Sequence, residues 1–258
     1  MTDTQGRVTQ QQQGTLAPTA FSYDARGRLA SRSQGGRSTS LTYDSLGRPE
    51  TITDSAARTV QFQYDTAGRV TQQTLPDSRV ITYSYDANGN VTSITPPGRP
   101  AHGFTYTAVD LEKDYLAPAV SAGGTNTTTY SYNSDRQVTG ITRPDGQQIT
   151  LSYAGGKLSS QSFPTGAVSY GYNVQGNLNS AAFSGGGTVN YTYDGSLLLS
   201  SAWSGPVTGN VTWTYDNNYR KTSQSVNGGN TVNFTYDYDL AGRLKEVKQN
   251  GVTTSAYT

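Results

Sequence analysis

A short motif that keeps returning limits what this chain can fold into more than any other feature. Tyr23-Asp24-Ala25-Arg26-Gly27-Arg28 is followed by Tyr43-Asp44-Ser45-Leu46-Gly47-Arg48, by Tyr64-Asp65-Thr66-Ala67-Gly68-Arg69 and by Tyr85-Asp86-Ala87-Asn88-Gly89-Asn90. A full copy closes the series at Tyr238-Asp239-Leu240-Ala241-Gly242-Arg243, and weaker copies begin at Tyr132, Tyr153, Tyr172, Tyr193 and Tyr215. Most intervals are 19 to 23 residues. A fixed period of this size marks an array in which each unit is one supersecondary element leaning on its neighbours.

The first half of each unit alternates with period two. An aromatic residue or Leu precedes the key Tyr by two positions, as in Phe21/Tyr23, Leu41/Tyr43, Phe62/Tyr64, Tyr83/Tyr85, Phe104/Tyr106, Tyr191/Tyr193 and Trp213/Tyr215. Residues two apart in a strand share a face, and the Thr, Ser and Gln between them supply a polar opposite face. One face should therefore carry ladders of aromatic rings that can border water. The Asp-x-x-Gly unit is turn chemistry. Asp accepts backbone N–H bonds at the first turn position, and Gly takes positive φ at the fourth, the setting for a type I turn with a Gly bulge. A second punctuation of Pro or Gly follows each return strand, at Pro76, Pro96-Pro97-Gly98, Pro144-Asp145-Gly146, Gly185-Gly186-Gly187 and Asn227-Gly228-Gly229. One repeat is two strands and two turns, and the fold class is all-β: tandem antiparallel hairpins forming a curved, spiralling sheet.

The composition agrees. The chain has 258 residues, 19 Tyr, 29 Gly, no Cys and a net charge of +1. So small a charge gives no electrostatic case for nucleic acid or an anionic membrane. Without Cys there is no disulfide framework and no thiolate metal site. Met1 to Gln13 is polar and carries no signal-peptide stretch, and no run approaches the length of a membrane span. Any export address is expected outside this segment.

The array is expected to be a single one over 1–258, cut inside repeats at both ends: Asp3 to Val8 is the back half of one copy and Ser255 to Thr258 the front of another. An irregular, longer repeat interrupts it at about 95–128, where Tyr106 and Tyr132 are 26 residues apart. Its segment Phe104 to Leu116 lacks the Gly turn and is expected, with the sole histidine His102 just before it, to be a decorated loop. Cut ends leave open strand edges, so self-association through those edges, or covering segments such as Met1 to Gln13, is expected.

These repeats resemble the RHS/YD-repeat family of bacteria, with the YD shell of animal teneurins as a distant relative. The resemblance covers almost the whole chain. It implies that consecutive hairpins wind a long sheet into a hollow shell, which in polymorphic and Tc-like toxins encloses a C-terminal toxin domain. The family's self-cleaving core carries an Asp-Pro-x-Gly-type motif; this chain has no Asp-Pro dipeptide. Only the wall carries over. The implied partners are the rest of the same polypeptide and an encapsulated toxin cargo, and the implied location is secreted or cell-surface.

Reactive chemistry is weighed against turn chemistry at each candidate. Asp24, Asp44, Asp65, Asp86, Asp194, Asp216 and Asp239 fit turn capping better than calcium binding or acid catalysis, since no second acidic residue recurs beside them. Arg28, Arg48, Arg69 and Arg243 fit pairing with a turn Asp or with a neighbouring repeat better than anion binding. A lone His102 supports no triad and no multi-histidine zinc site, and Asp110, Glu112 and Asp114 around Lys113 read as a solvated loop face. No enzyme, metal or cofactor is expected. The structural motif is thus Tyr23, Asp24, Gly27 and Arg28 with its copies, including Tyr43, Gly47, Tyr64, Gly68, Tyr85, Gly89, Tyr238 and Gly242. The alternative to a wall is a module for glycans or another surface partner, using Tyr191, Trp203 and Trp213, because aromatic rings stack sugars.

Overall fold

A computed structural model describes residues 1–118 and 126–257. The described residues hold 24 strands and no helix. They divide into two compact units, Met1–Tyr130 and Ser131–Thr258. Within each unit, strands pair antiparallel with their neighbours in sequence. In the first, Thr19–Tyr23 pairs with Leu29–Gln34, Arg37–Tyr43 with Pro49–Asp54, Thr59–Tyr64 with Val70–Thr74, and Val80–Tyr85 with Val91–Thr95. In the second, Gln148–Ala154 pairs with Lys157–Phe163, Thr188–Asp194 with Leu197–Ser204, and Gly209–Tyr215 with Lys221–Asn227.

The Tyr-Asp turn repeats in detail. The register slips by one residue just before the Tyr, at Ser22/Tyr23, Thr42/Tyr43, Gln63/Tyr64 and Ser84/Tyr85. Such a bulge sets Tyr43 opposite Pro49 and Tyr64 opposite Val70. The turn closes through Asp24 N to Arg28 O at 2.8 Å and Gly27 N to Asp24 O at 2.9 Å, with Gly27 at φ 80°. Copies without Gly keep the same left-handed backbone at a steric cost: Ala57 has φ 58°, Asp110 60°, Arg136 62° and Tyr219 62°.

Burial is shallow. Val168 at 8% exposed and Ala181 at 7% are the buried hydrophobic side chains among the described residues. The exposed area is 16493 Å², whereas two globules of this total mass would expose about 13,000 Å². Alternating half-buried and exposed residues, as in Thr59–Tyr64, account for the excess. The polar face is tied by hydroxyl pairs, Ser22 to Ser31 at 2.7 Å and Thr42 to Thr51 at 2.6 Å.

Four expectations need correction. The aromatic face does not stack ring on ring: Phe62 lies opposite Gln73, Phe21 opposite Arg32 and Trp213 opposite Gln224. Ring pairs among the described residues are confined to His102–Tyr115 and Phe104–Tyr115. The alternation places large residues on one face, but flexible Gln side chains and cations cover the rings.

The segment after His102 is a hairpin and not a decorated loop. His102–Tyr106 pairs with Glu112–Leu116, and Thr107 takes the Asp role, its N bonding Leu111 O at 2.8 Å while its Oγ1 accepts from Leu111 N at 3.1 Å. Asp110 supplies the positive φ expected of Gly. Residues 119–125 of the irregular stretch lie outside the described residues. His102 is accordingly a strand residue, its Nδ1 2.6 Å from the Tyr115 hydroxyl. Finally, Asp194 does not open a five-residue turn. It ends a strand opposite Leu197 across a tight turn in which Gly195 has φ 57°.

Backbone strain gives an opposed pair of outcomes. Gly68→Val should lower stability by about 1–2 kcal/mol, because a β-branched residue is forced to positive φ. Tyr219→Gly should raise it by up to about 1 kcal/mol. Urea unfolding of each variant measures both, and unchanged midpoints would show that the turn geometry is wrong.

Candidate functional site

The most organised chemistry in the chain is the junction between one hairpin's turn and the next hairpin's tyrosine. It starts with the Asp. Asp65 Oδ1 accepts from Ala67 N and Arg69 N, both at 2.9 Å, and Oδ2 accepts Arg69 Nε at 2.7 Å. Asp3, Asp24, Asp44, Asp216 and Asp239 pair with the Arg four residues on in the same way. The Arg69 backbone N–H holds the Asp65 carboxyl below the ordinary carboxylate range, with partial desolvation working against it and the guanidinium reinforcing it. At Asp24 and Asp44 desolvation is the largest single influence and pushes upward, but the bonds from Arg28 and Arg48 together outweigh it.

The same Arg reaches the next hairpin. Arg69 Nη1 donates to Asp86 O at 2.9 Å and Arg48 Nη1 to Asp65 O at 3.1 Å. Each guanidinium also lies over the next hairpin's Tyr ring: Arg28 over Tyr43 at 4.2 Å, Arg48 over Tyr64 at 4.5 Å and Arg69 over Tyr85 at 4.6 Å. The Tyr answers in the opposite direction. Tyr43 OH donates to Leu29 O, Tyr64 OH to Pro49 O and Tyr85 OH to Val70 O, at 2.7–2.8 Å. Tyr153, Tyr172, Tyr193, Tyr215 and Tyr238 do the same in the second unit. Glycine has a second role here, since a Cβ at Gly47 would lie 3.2 Å from Arg28 Nη1 and one at Gly27 3.0 Å from Arg7 Nη1.

The weak copies keep the function of the motif with other residues. Asn133 and Asn173 replace Asp, each taking the N–H four residues on at 2.9 Å. Gln137 donates to Gly156 O, Lys157 to Gly176 O and Asn177 to Gly195 O, at 2.6–2.9 Å, where Arg donates elsewhere. Sequence reasoning allowed an Arg contact with a neighbouring repeat but missed that Gln137, Lys157 and Asn177 take the same role. It also missed Asp54–Arg58, a copy of the turn in which Ala57 stands in for Gly, although the four-residue Asp-to-Arg spacing marks it.

The other candidate residues are placed apart. Asp114 accepts from the Thr105 and Thr129 hydroxyls at 2.7 Å, and these bonds hold its carboxyl below the ordinary range. Asp110 accepts from the Asn88 and Asn90 side chains at 2.8 Å. Glu112 lies opposite Tyr106. The three carboxylates form no common site, and the described residues contain no group of three or more His, Cys, Asp or Glu that could hold a metal. Tyr191, Trp203 and Trp213 share one half-buried face: Tyr191 pairs with Ser201, Trp203 with Val189 and Gly209, and Trp213 Nε1 donates to Gln224 Oε1 at 3.0 Å.

Comparison with known proteins matches this geometry to a family. The family model described as Teneurin YD-shell matches residues 1–258. No curated protein sequence matches. Among solved structures, the TcdB2-TccC3-TEV crystal structure aligns with a TM-score of 0.67 at 12% identity, covering 93% of this chain and 16% of that one. The Photorhabdus luminescens Tc holotoxin pore aligns at 0.62 and 14% identity, with 93% and 16% covered. TcdB2-TccC3 aligns at 0.51 and 16% identity, with 95% and 16% covered. The chain thus spans about a sixth of the length of these structures' chains and shares their fold.

Two outcomes follow from the junction. Tyr85→Phe, which removes one hydroxyl bond between hairpins, should cost about 1 kcal/mol in urea unfolding. The turn carboxyls have lowered pKa values in the fold, so their contribution is complete above the ordinary carboxylate value of about 4 and is lost as pH falls through the lowered values. Hydrogen exchange, corrected for intrinsic rates, should show hairpins at Asp44 and Asp65 opening on acidification before those at Asn133 and Asn173. Simultaneous opening would contradict this.

Proposed function

We propose, from the premise that this chain belongs to the teneurin YD-shell family, that it is a non-catalytic wall segment of a larger shell whose full polypeptide encloses a C-terminal toxin or other cargo. The observation that carries this reading is the repeated clamp between hairpins, which spends the motif's Tyr, Asp, Gly and Arg on holding neighbours together. Such a clamp suits a wall that must stay closed over many repeats. The likeness to Tc toxin components supports a secreted toxin protein as the setting and the enclosed component as the partner. We read 1–258 as one array, because the family match runs through both units. Where sheet edges are uncovered, they would also pair with further strands of the same polypeptide or with a second copy.

A second reading keeps the wall and gives its aromatic face to carbohydrate. It is favoured by Trp213 and Tyr191, half-buried rings on one face of a sheet.

Limited trypsin digestion of the full-length polypeptide tests the wall. The cargo segment should resist cleavage in the parent protein and be cut rapidly when Asp65→Ala and Arg69→Ala are combined. A cargo cut equally fast in both would contradict enclosure.

A further inference from the structure

We infer that Lys221, Trp213, Gln224 and Tyr236 form a binding site for a carboxylated sugar of the uronic-acid class, an inference that rests on the second reading above. The starting observation is a break in the repeat. The residue whose carbonyl accepts the Tyr hydroxyl is apolar at Leu29, Pro49, Val70, Leu178 and Leu198 but is Lys221 in the junction with Tyr238; the matching position opposite Tyr106 holds the charged Glu112. Lys221 is thus the cation at a position that is apolar in most junctions, and a departure from a local pattern is a place to look for function.

The ammonium has no oxygen partner. Other cations stacked on rings in this chain have one: Arg28, Arg48, Arg69 and Arg220 pair with their turn Asp at 2.7 Å, and Lys157 donates to Gly176 O at 2.6 Å. Lys221 Nζ takes part in no hydrogen bond or ion pair found among the described residues. It lies 5.7 Å from the Trp213 ring centre and 6.0 Å from that of Tyr236, the outer limit of a useful cation–ring contact.

Its surroundings select the anion. The indole N–H can only donate, so the bond from Trp213 Nε1 at 3.0 Å commits the Gln224 carbonyl and leaves its NH₂ as a donor. Trp213 and Tyr236 are half-buried and offer ring surface. A sugar ring presents C–H groups to such surfaces, its hydroxyls meet the Gln224 amide, and a carboxylate on it supplies the missing partner of Lys221. A neutral sugar leaves the ammonium unpaired, and a bare inorganic anion leaves the rings unused.

Titration of the 258-residue chain with a galacturonic acid tetramer, a neutral galactose tetramer and polyglutamate, followed by tryptophan fluorescence and calorimetry, tests this. The acidic tetramer should bind, and Lys221→Leu, which supplies the apolar residue type found in most junctions, should weaken it at least about ten-fold, an ion pair's worth, without changing the melting temperature. Trp213→Ala should abolish binding. Equal binding of both tetramers, unaffected by Lys221→Leu, would overturn the inference and leave the carbohydrate reading standing. Binding of neither would overturn both, and polyglutamate binding as tightly as the acidic tetramer would overturn the sugar specificity.

Discussion

Everything in this fold depends on how one hairpin is fastened to the next. A hairpin of two short strands is marginal in water by itself, and these strands bury almost nothing completely. What fastens them, besides the ladder, is a two-way junction: a cation leaving one turn covers the next hairpin's Tyr ring, and that Tyr returns a hydrogen bond to the carbonyl behind the turn. The aspartate serves this junction indirectly. By holding the Arg backbone N–H and Nε, it fixes the guanidinium where Nη1 can cross to the neighbour.

The junction explains the residue types in the motif. Tyr is needed for both its ring and its hydroxyl, and Phe would supply half of the contact. Gly serves positive φ and, at Gly27 and Gly47, leaves room for the preceding Arg. The Arg position needs a donor more than a charge, so Gln137, Lys157 and Asn177 fill it in the second unit. Stability in such an array is a sum of unit and nearest-neighbour terms, and here the neighbour term is spelled out in the motif itself.

Much of this was legible in the residues. Period-two alternation gave the strands, and Asp-x-x-Gly gave the turn, down to the bulge. Turn capping by Asp65 and pairing with Arg69 were also expected. An Arg contact with a neighbouring repeat was one of the expected pairings, but its partners were not legible, because contacts of Arg69 with Asp86 and Tyr85 depend on how neighbouring hairpins lie side by side, which no single repeat specifies. The Thr107 hairpin escaped notice because Asp110 adopts positive φ in place of Gly, a substitution the backbone tolerates at a cost. Lys221 drew no attention in sequence, since its column became visible only once the tyrosine acceptors were known.

The central claim is that the motif binds hairpin to hairpin. A double-mutant cycle on Arg69 and Tyr85, with Arg69→Met and Tyr85→Leu compared singly and together by urea unfolding, measures that coupling directly. The account predicts a coupling of about 0.5–1 kcal/mol or more between these residues of adjacent hairpins. Strictly additive effects would contradict it and reduce the motif to a turn within a single hairpin.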